Sequence, residues 1–208
     1  MKIARVPSIC GLAFRDDPPQ WASLGFDVTD DRVVVGDVTI VLGDREGWQL
    51  DPRAHGIDGI EAVVIAPAAG RASASHPNAL IAVDHVVLET PDWSRTINAM
   101  LAAGFAQRST STFQPAGRPP RSQAFFRVDG GARFVEVIGP APGEEGEGPA
   151  RVWGLTFTTS DLSTTARAMG DLLSRPRPAV QRGRQIATVA RAAGLAVAIA
   201  VMTPRPDS

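Results

Sequence analysis

A strand-sized apolar run recurs along this chain. It reads Ile9-Cys10-Gly11-Leu12-Ala13-Phe14, then Val83-Asp84-His85-Val86-Val87-Leu88, then Val152-Trp153-Gly154-Leu155-Thr156-Phe157. Each copy is followed by an aspartate (Asp16, Asp92, Asp161) and a helix-like stretch, so the repeat organises the fold. The middle copy is the clearest. Ala82 to Thr90 is a buried strand rich in Val and Leu. Ser94 to Ala103 places Ile97, Met100 and Leu101 at helical spacing and ends at Gly104, a C-cap signal. Phe105 to Phe113, Gln123 to Val128 and Arg133 to Ile138 follow as strands, with a tight turn at Gly130-Gly131. The order is βαβββ.

The last copy repeats that order in shorter form. Val152 to Thr158 predicts a strand, and Asp161 an N-cap for a helix over Leu162 to Leu173, with Ala166, Met169, Leu172 and Leu173 on one face. The stretch around Pro176 and Pro178 reads as a loop. Arg184 to Arg191 and Leu195 to Met202 read as strands around Gly194. The first copy is degenerate: a strand at Ile9 to Phe14, a short helix at Pro18 to Leu24, a hairpin of Arg32 to Val35 with Val38 to Leu42, and a further strand at Ile60 to Ala66. The chain divides into a βαβββ-like N-terminal module at 1–67, an Ala/Ser-rich linker at 68–80, a full module at 81–140, an acidic loop at 141–149 carrying Glu144, Glu145 and Glu147, and a second full module at 150–204. The predicted class is α+β, with the repeated βαβββ modules forming a cupped mixed sheet. The N-terminal module is expected either to extend that sheet or to pair with its counterpart in a homodimer.

Composition narrows the field. A net charge of −1 over 208 residues gives no footprint for nucleic acid or an anionic membrane. No apolar run reaches the roughly 18 residues of a membrane span. Cys10 is the single cysteine, which excludes an internal disulfide and a cysteine-rich zinc site. Without an apolar leader at Met1 to Pro7, the expected location is cytoplasmic. The chain has no phosphate-binding glycine loop of the Walker type and no nucleophile elbow.

Val83-Asp84-His85-Val86-Val87-Leu88-Glu89 resembles the opening strand, and Phe134-Val135-Glu136-Val137-Ile138-Gly139-Pro140 the closing strand, of a module of the vicinal oxygen chelate superfamily, which includes glyoxalase I, bleomycin-resistance proteins and extradiol dioxygenases. The resemblance covers Ile81 to Pro204. It implies two modules paired into a cup, and a divalent metal held by one residue from the opening and one from the closing strand of each module. His85 and Glu136 fall on those positions in the middle module, an N/O pair suited to Zn, Fe, Mn or Ni. The last module departs from the pattern: Gly154 replaces the opening-strand ligand, and Ala196-Val197-Ala198-Ile199-Ala200-Val201 has none. Two protein ligands fall short of the three typical of catalytic zinc, so the expected cofactor is none in preference to a metal.

Strand alternation adds a second argument. If His85 points into the cup, so do Val83, Val87 and Glu89; if Glu136 does, so do Phe134 and Ile138. Ala196, Ala198 and Ala200 share one face of the last strand, which either leaves room for an apolar ligand or lets sheets approach closely. One of Phe125 and Phe126 lines the cavity, and Gln123 and Arg127 share the face of Phe125. His85 and Glu136 are thus the candidate catalytic pair, and Glu89, Gln123, Phe125, Arg127, Phe134 and Ala198 the candidate ligand contacts. His55 and His76 could complete a metal site but sit in loop-like sequence, where surface histidines are commoner. Trp153 reads as core, Arg182, Arg184 and Arg191 as solvated, and Cys10 as inert core. The leading expectation is a small-molecule binder. A metal-dependent lyase, isomerase or dioxygenase using His85 and Glu136 is the alternative, and a fold kept only for association the third. The partners expected are a small molecule and, in a homodimer, a second copy of the chain.

Overall fold

The structure, a computed structural model, describes residues 6–51, 56–65, 76–115, 117–128 and 133–206. The turn at Gly130-Gly131, most of the linker and His55 lie outside the described residues.

Two βαβββ modules build an eight-stranded mixed sheet. The first comprises β5 (Leu80–Glu89), α2 (Trp93–Ala102), β6 (Ala106–Phe113), β7 (Arg121–Val128) and β8 (Arg133–Pro140). The second comprises β9 (Arg151–Thr159), α3 (Leu162–Met169), β10 (Arg177–Pro178), β11 (Gln185–Thr188) and β12 (Ala198–Met202). The strand order β10-β11-β12-β9-β5-β8-β7-β6 places the two opening strands, β5 and β9, side by side and antiparallel at the centre. Each pairs on its other edge with its own closing strand in parallel, β5 with β8 and β9 with β12.

Local chemistry explains the elements. On β7 the side chains of Ser122, Ala124, Phe126 and Val128 are buried while Arg121, Gln123, Phe125 and Arg127 face the other way, the period of two of a half-buried strand. Asp92 caps α2 by accepting from the Arg95 amide at 2.9 Å, and Asp161 caps α3 by accepting from the Ser163 amide at 2.9 Å. Gly104, at φ 92°, ends α2 in a conformation that costs glycine little. The helix expected to run to Leu173 stops at Met169, because Gly170 turns to φ 55° and a 3₁₀ turn over Gly170–Leu172 takes its place. The Pro176–Pro178 loop contributes the two-residue edge strand β10, which completes the second module.

The N-terminal segment differs from expectation in topology. It comprises β1 (Ser8–Phe14), α1 (Pro18–Ser23), β2 (Arg32–Val35), β3 (Val38–Leu42) and β4 (Gly47–Asp51). Its sheet has the order β2-β3-β1-β4. β1, β2 and β3 match β5, β7 and β8, so the module lacks the strand that follows the helix elsewhere. β4 pairs antiparallel with β1 as β9 does with β5. Residues 60–65 form only isolated bridges, one of them Trp48 to Ala62, in place of the expected strand.

Within the chain this smaller sheet does not extend the larger one. It packs on the helix-bearing face, where Trp21, 0% exposed, stands 6.4 Å edge-on from Phe157 of β9, and Trp48 stacks on Phe105 at 6.0 Å. Polar contacts pin the layers together. The Ala196 amide donates to Asp16 Oδ1 at 2.5 Å, and Arg133 donates to the Ile9 carbonyl at 3.0 Å. One continuous core therefore lies between the sheets, and the opposite face of the large sheet is left free. No helix among the described residues is long and apolar enough to cross a membrane.

Candidate functional site

On the free face, residues from both modules line one cavity of about 450 Å³, so the sheet curves around it. His85 of β5, Glu136 and Phe134 of β8, and Gln123 and Phe125 of β7 come from the middle module. Ile186 and Met202 close the opposite wall, with Ala179 to Gln181 above them, and Arg108 and Arg205 stand at the rim. The position follows from register. Phe125 lies opposite Glu136 across the β7/β8 pair, while Glu136 pairs with Val87 and Phe134 with His85 across β8/β5.

A β-bulge shapes the polar end. Val83 pairs with Phe157 and His85 with Thr156, leaving Asp84 as an extra residue in β5. Alternation would turn Asp84 to the face opposite His85; the bulge instead lets its Oδ2 lie 3.0 Å from His85 Nδ1. On the other side of the ring, His85 Nε2 is 2.9 Å from Thr156 Oγ1 and 3.5 Å from Glu136 Oε2. Gln123 Nε2 donates to Glu136 Oε1. Asp84 accepts in turn from Arg184 Nη2 at 2.7 Å, and Arg184 Nε donates to the Thr203 carbonyl at 2.7 Å. Arg184 is 3% exposed, Asp84 7% and His85 8%. Burial pushes the Asp84 carboxyl up, but hydrogen bonds from His85 and Arg184 and their charges outweigh it and hold the group well below the usual carboxylate range.

The donor set does not fit the metal centre that the family resemblance implies. Among the described residues no three His, Cys, Asp or Glu side chains are grouped to hold an ion. Register gives the reason. In the second module Gly154 occupies the place of His85, and Ala200, paired with Thr156, occupies the place of Glu136. Among the described residues that leaves His85 and Glu136, with Asp84 already engaged by Arg184. His76 cannot assist: it is buried away from the cup, its Nδ1 accepting from the Asp27 amide at 3.0 Å and its Nε2 donating to the Val34 carbonyl at 2.9 Å. Burial lowers its pKa, against the smaller raising effects of Val34 and Asp27.

The structure brings His85, Glu136, Gln123, Phe125 and Phe134 together and leaves three other candidates outside. Glu89 sits at the end of β5, where it binds Arg121 at 3.0 Å and Arg151 at 2.6 Å and lines a separate cavity of about 570 Å³. Burial raises its pKa, but these hydrogen bonds prevail and lower it. Arg127 shares the face of Phe125 but is exposed at the end of β7, off the cavity wall. Ala198 is exposed and lines a different groove, about 490 Å³, beside Trp153. The alanine face thus leaves open space. A second bulge, between the pairs Val87–Gly154 and Leu88–Val152, turns Trp153 out to 36% exposure, which corrects its reading as core. Of the two phenylalanines, Phe125 lines the cavity and Phe126 is 0% exposed in the core. Cys10 is half-buried, its Sγ 3.4 Å from the Gln49 carbonyl.

Three members of the polar cluster escape a reading of the sequence. Asp84 is concealed by the bulge, Thr156 by its apolar neighbours, and Arg184 by lying beside Arg182 in a hairpin whose arginines read as solvated. The one available signal is the charged Asp84 inside an otherwise apolar strand.

No family profile matches the sequence, and no curated protein does. Solved structures do. The chain is similar to a variant of 4-hydroxymandelate synthase from Streptomyces coelicolor, at 17% identity over 95% of this chain and 70% of that one, with a TM-score of 0.50. It is also similar to methylmalonyl-CoA epimerase from Mycobacterium tuberculosis, at 17% identity over 62% of this chain and 91% of that one, TM-score 0.46. The Streptomyces coelicolor epimerase in complex with 2-nitronate-propionyl-CoA matches at 21% identity over 60% and 97%, TM-score 0.45. Paired βαβββ modules, central antiparallel opening strands and a cavity on the curved face together give this chain the glyoxalase/bleomycin-resistance fold.

Proposed function

We propose that the protein binds a small organic molecule in the cup between its paired modules, without a complete metal site. The observation that carries this reading is the cavity itself. Its volume of about 450 Å³ suits a small ligand, and most of its wall is apolar, from Phe125, Phe134, Ile186 and Met202. A few polar groups converge at one end, His85, Glu136 and Gln123, and would orient the ligand while the apolar wall supplies affinity. The rim adds Arg108 and Arg205, the latter 5.2 Å above the Phe134 ring, which favours a ligand with an anionic group directed outward.

The test is a ligand-observed NMR screen of small aromatic and aliphatic acids and their neutral analogues against the wild-type protein, repeated with Glu136→Ala and Phe125→Ala. The expected outcome is a set of binders, acids preferred, that weaken at least tenfold in each variant while the circular dichroism spectrum is unchanged. A wild-type protein that binds nothing, or variants that bind as the wild type does, would refute the reading. An unfolded Glu136→Ala would assign that residue to the fold instead.

A further inference from the structure

We propose that Asp84 and Arg184 are positioning residues that commit His85 to the tautomer protonated at Nδ1, making Nε2 the atom through which the cup exchanges a proton with its ligand. This rests on the reading of the cup as a small-molecule site and adds a reaction class to it.

A guanidinium keeps its proton at any ordinary pH. Arg184 is 3% exposed and directs Nη2 at Asp84 Oδ1, so the carboxyl beside it is held as a carboxylate. An ionised carboxylate only accepts hydrogen bonds. The 3.0 Å contact between Asp84 Oδ2 and His85 Nδ1 therefore places a proton on Nδ1. In the neutral ring the other nitrogen is then bare, and Nε2 accepts from the Thr156 hydroxyl at 2.9 Å.

His85 lines the cavity, and Nε2 is the ring nitrogen on the side of Glu136, a second lining residue, with Oε2 3.5 Å away. Among the described residues the charged groups facing the ring and its cavity are Asp84, Arg184 and Glu136, with Arg108 and Arg205 at the rim. The neutral ring has both nitrogens satisfied, Nδ1 by Asp84 and Nε2 by Thr156. A base fixed by a third group and facing a substrate-sized cavity is the arrangement of general acid–base sites.

The step balances without a cofactor. A ligand atom bearing an acidic proton gives that proton to Nε2, and the bonding pair stays on the ligand atom. The imidazolium then returns the proton to the ligand or passes it to Glu136. The chemical class of ligand is one that carries an ionisable proton at the end directed to the cup floor.

The experiment is long-range ¹H–¹⁵N correlation NMR of the imidazole rings in the full chain, with the His85 signals assigned by their loss in His85→Gln. In the wild type, the neutral ring is expected to show a protonated Nδ1 and a bare Nε2, and acidification to add the new proton at Nε2 alone. Asp84→Asn is expected to shift the Nδ1 signal toward the bare range as the other tautomer fills. If Arg184→Met does not fold, Arg184→Lys keeps the charge and should keep the wild-type tautomer. A wild-type neutral ring protonated at Nε2 would overturn the proposal, as would a folded Asp84→Asn protein with unchanged ring signals. The measurement needs no ligand, so a wrong tautomer defeats this inference even if the cup binds, and an empty ligand screen defeats the binding reading alone.

Discussion

Replacing Arg184 by methionine is the most demanding test of how this fold is held together. Arg184 is 3% exposed and its partner Asp84 7%, with 2.7 Å between Nη2 and Oδ1. Removing one member of a buried ion pair costs about 3–5 kcal/mol, because the remaining charge is left desolvated. The hydrogen bond from Nε to the Thr203 carbonyl is lost as well, about 1 kcal/mol. Against this, Arg184 Nη1 is buried and has no hydrogen-bond partner among the described residues, and its removal returns about 1–3 kcal/mol. The difference is a destabilisation of about 3 kcal/mol, or roughly 6–12 °C in Tm for a chain of this size. Urea unfolding followed by tryptophan fluorescence, with four tryptophans as reporters, measures it.

The double variant Arg184→Met with Asp84→Leu should recover part of the loss, since it removes the stranded carboxylate while the His85 Nδ1 proton loses its acceptor. The pH dependence has a definite sign. The Asp84 pKa is lowered in the folded state, so its ionisation stabilises the protein fully above the ordinary Asp value of about 3.9 and ceases to do so as pH falls below it. In Arg184→Met the contribution should be smaller and should be exhausted at a higher pH, because one of the groups lowering the folded-state pKa is gone. A single variant within about 1 kcal/mol of wild type, or a double variant less stable than the single, would refute the reasoning.

Two further substitutions probe the packing. Trp21→Ala empties a fully buried site between the sheets and removes the donor to Asp16 Oδ2 at 3.0 Å, so about 5 kcal/mol should be lost in the same unfolding assay; a loss under about 2 kcal/mol would show that the layers are held elsewhere. Gly139→Ala places a methyl 3.0 Å from Thr90 Cγ2 and 3.2 Å from Trp93 Cε3, where β8 passes under α2, and overpacking there should cost about 1–3 kcal/mol, read as a lower denaturation midpoint at unchanged slope.

Much of the architecture is legible in the chain because it is periodic. Alternation on β7 and β8 correctly separates Phe125, Gln123, Phe134 and Glu136 from the buried Phe126, Val135 and Val137, and the aspartate after each later repeat caps its helix. Alternation fails wherever a strand carries an extra residue. Asp84 and Trp153 hold equivalent places in the repeat, and both are bulged: one turns toward His85, the other out to solvent. A bulge is set by the register of the neighbouring strand, which neither strand's own pattern records. Glu89 shows the same limit from another side. It lies on the expected face, but the strand is long enough to carry it past the cavity to Arg121 and Arg151.

Periodicity within about ten residues is thus enough to place the modules and their helices, because these depend on local hydrogen bonding and on which face is apolar, whereas the pair His85 and Glu136 stands out through the resemblance of its two strands to those of the superfamily. Assembly of the polar cluster depends on other physics. Arg184 reaches Asp84 across a separation of 100 residues, and Thr156 reaches His85 across 71. A buried charge is tolerated only where the fold delivers its partner. The same holds for the N-terminal segment. Its strands are local, but it packs on the helix-bearing face because Trp21, Phe26 and Phe157 bury one another there. Leaving the other face to the cup is a consequence of that long-range burial.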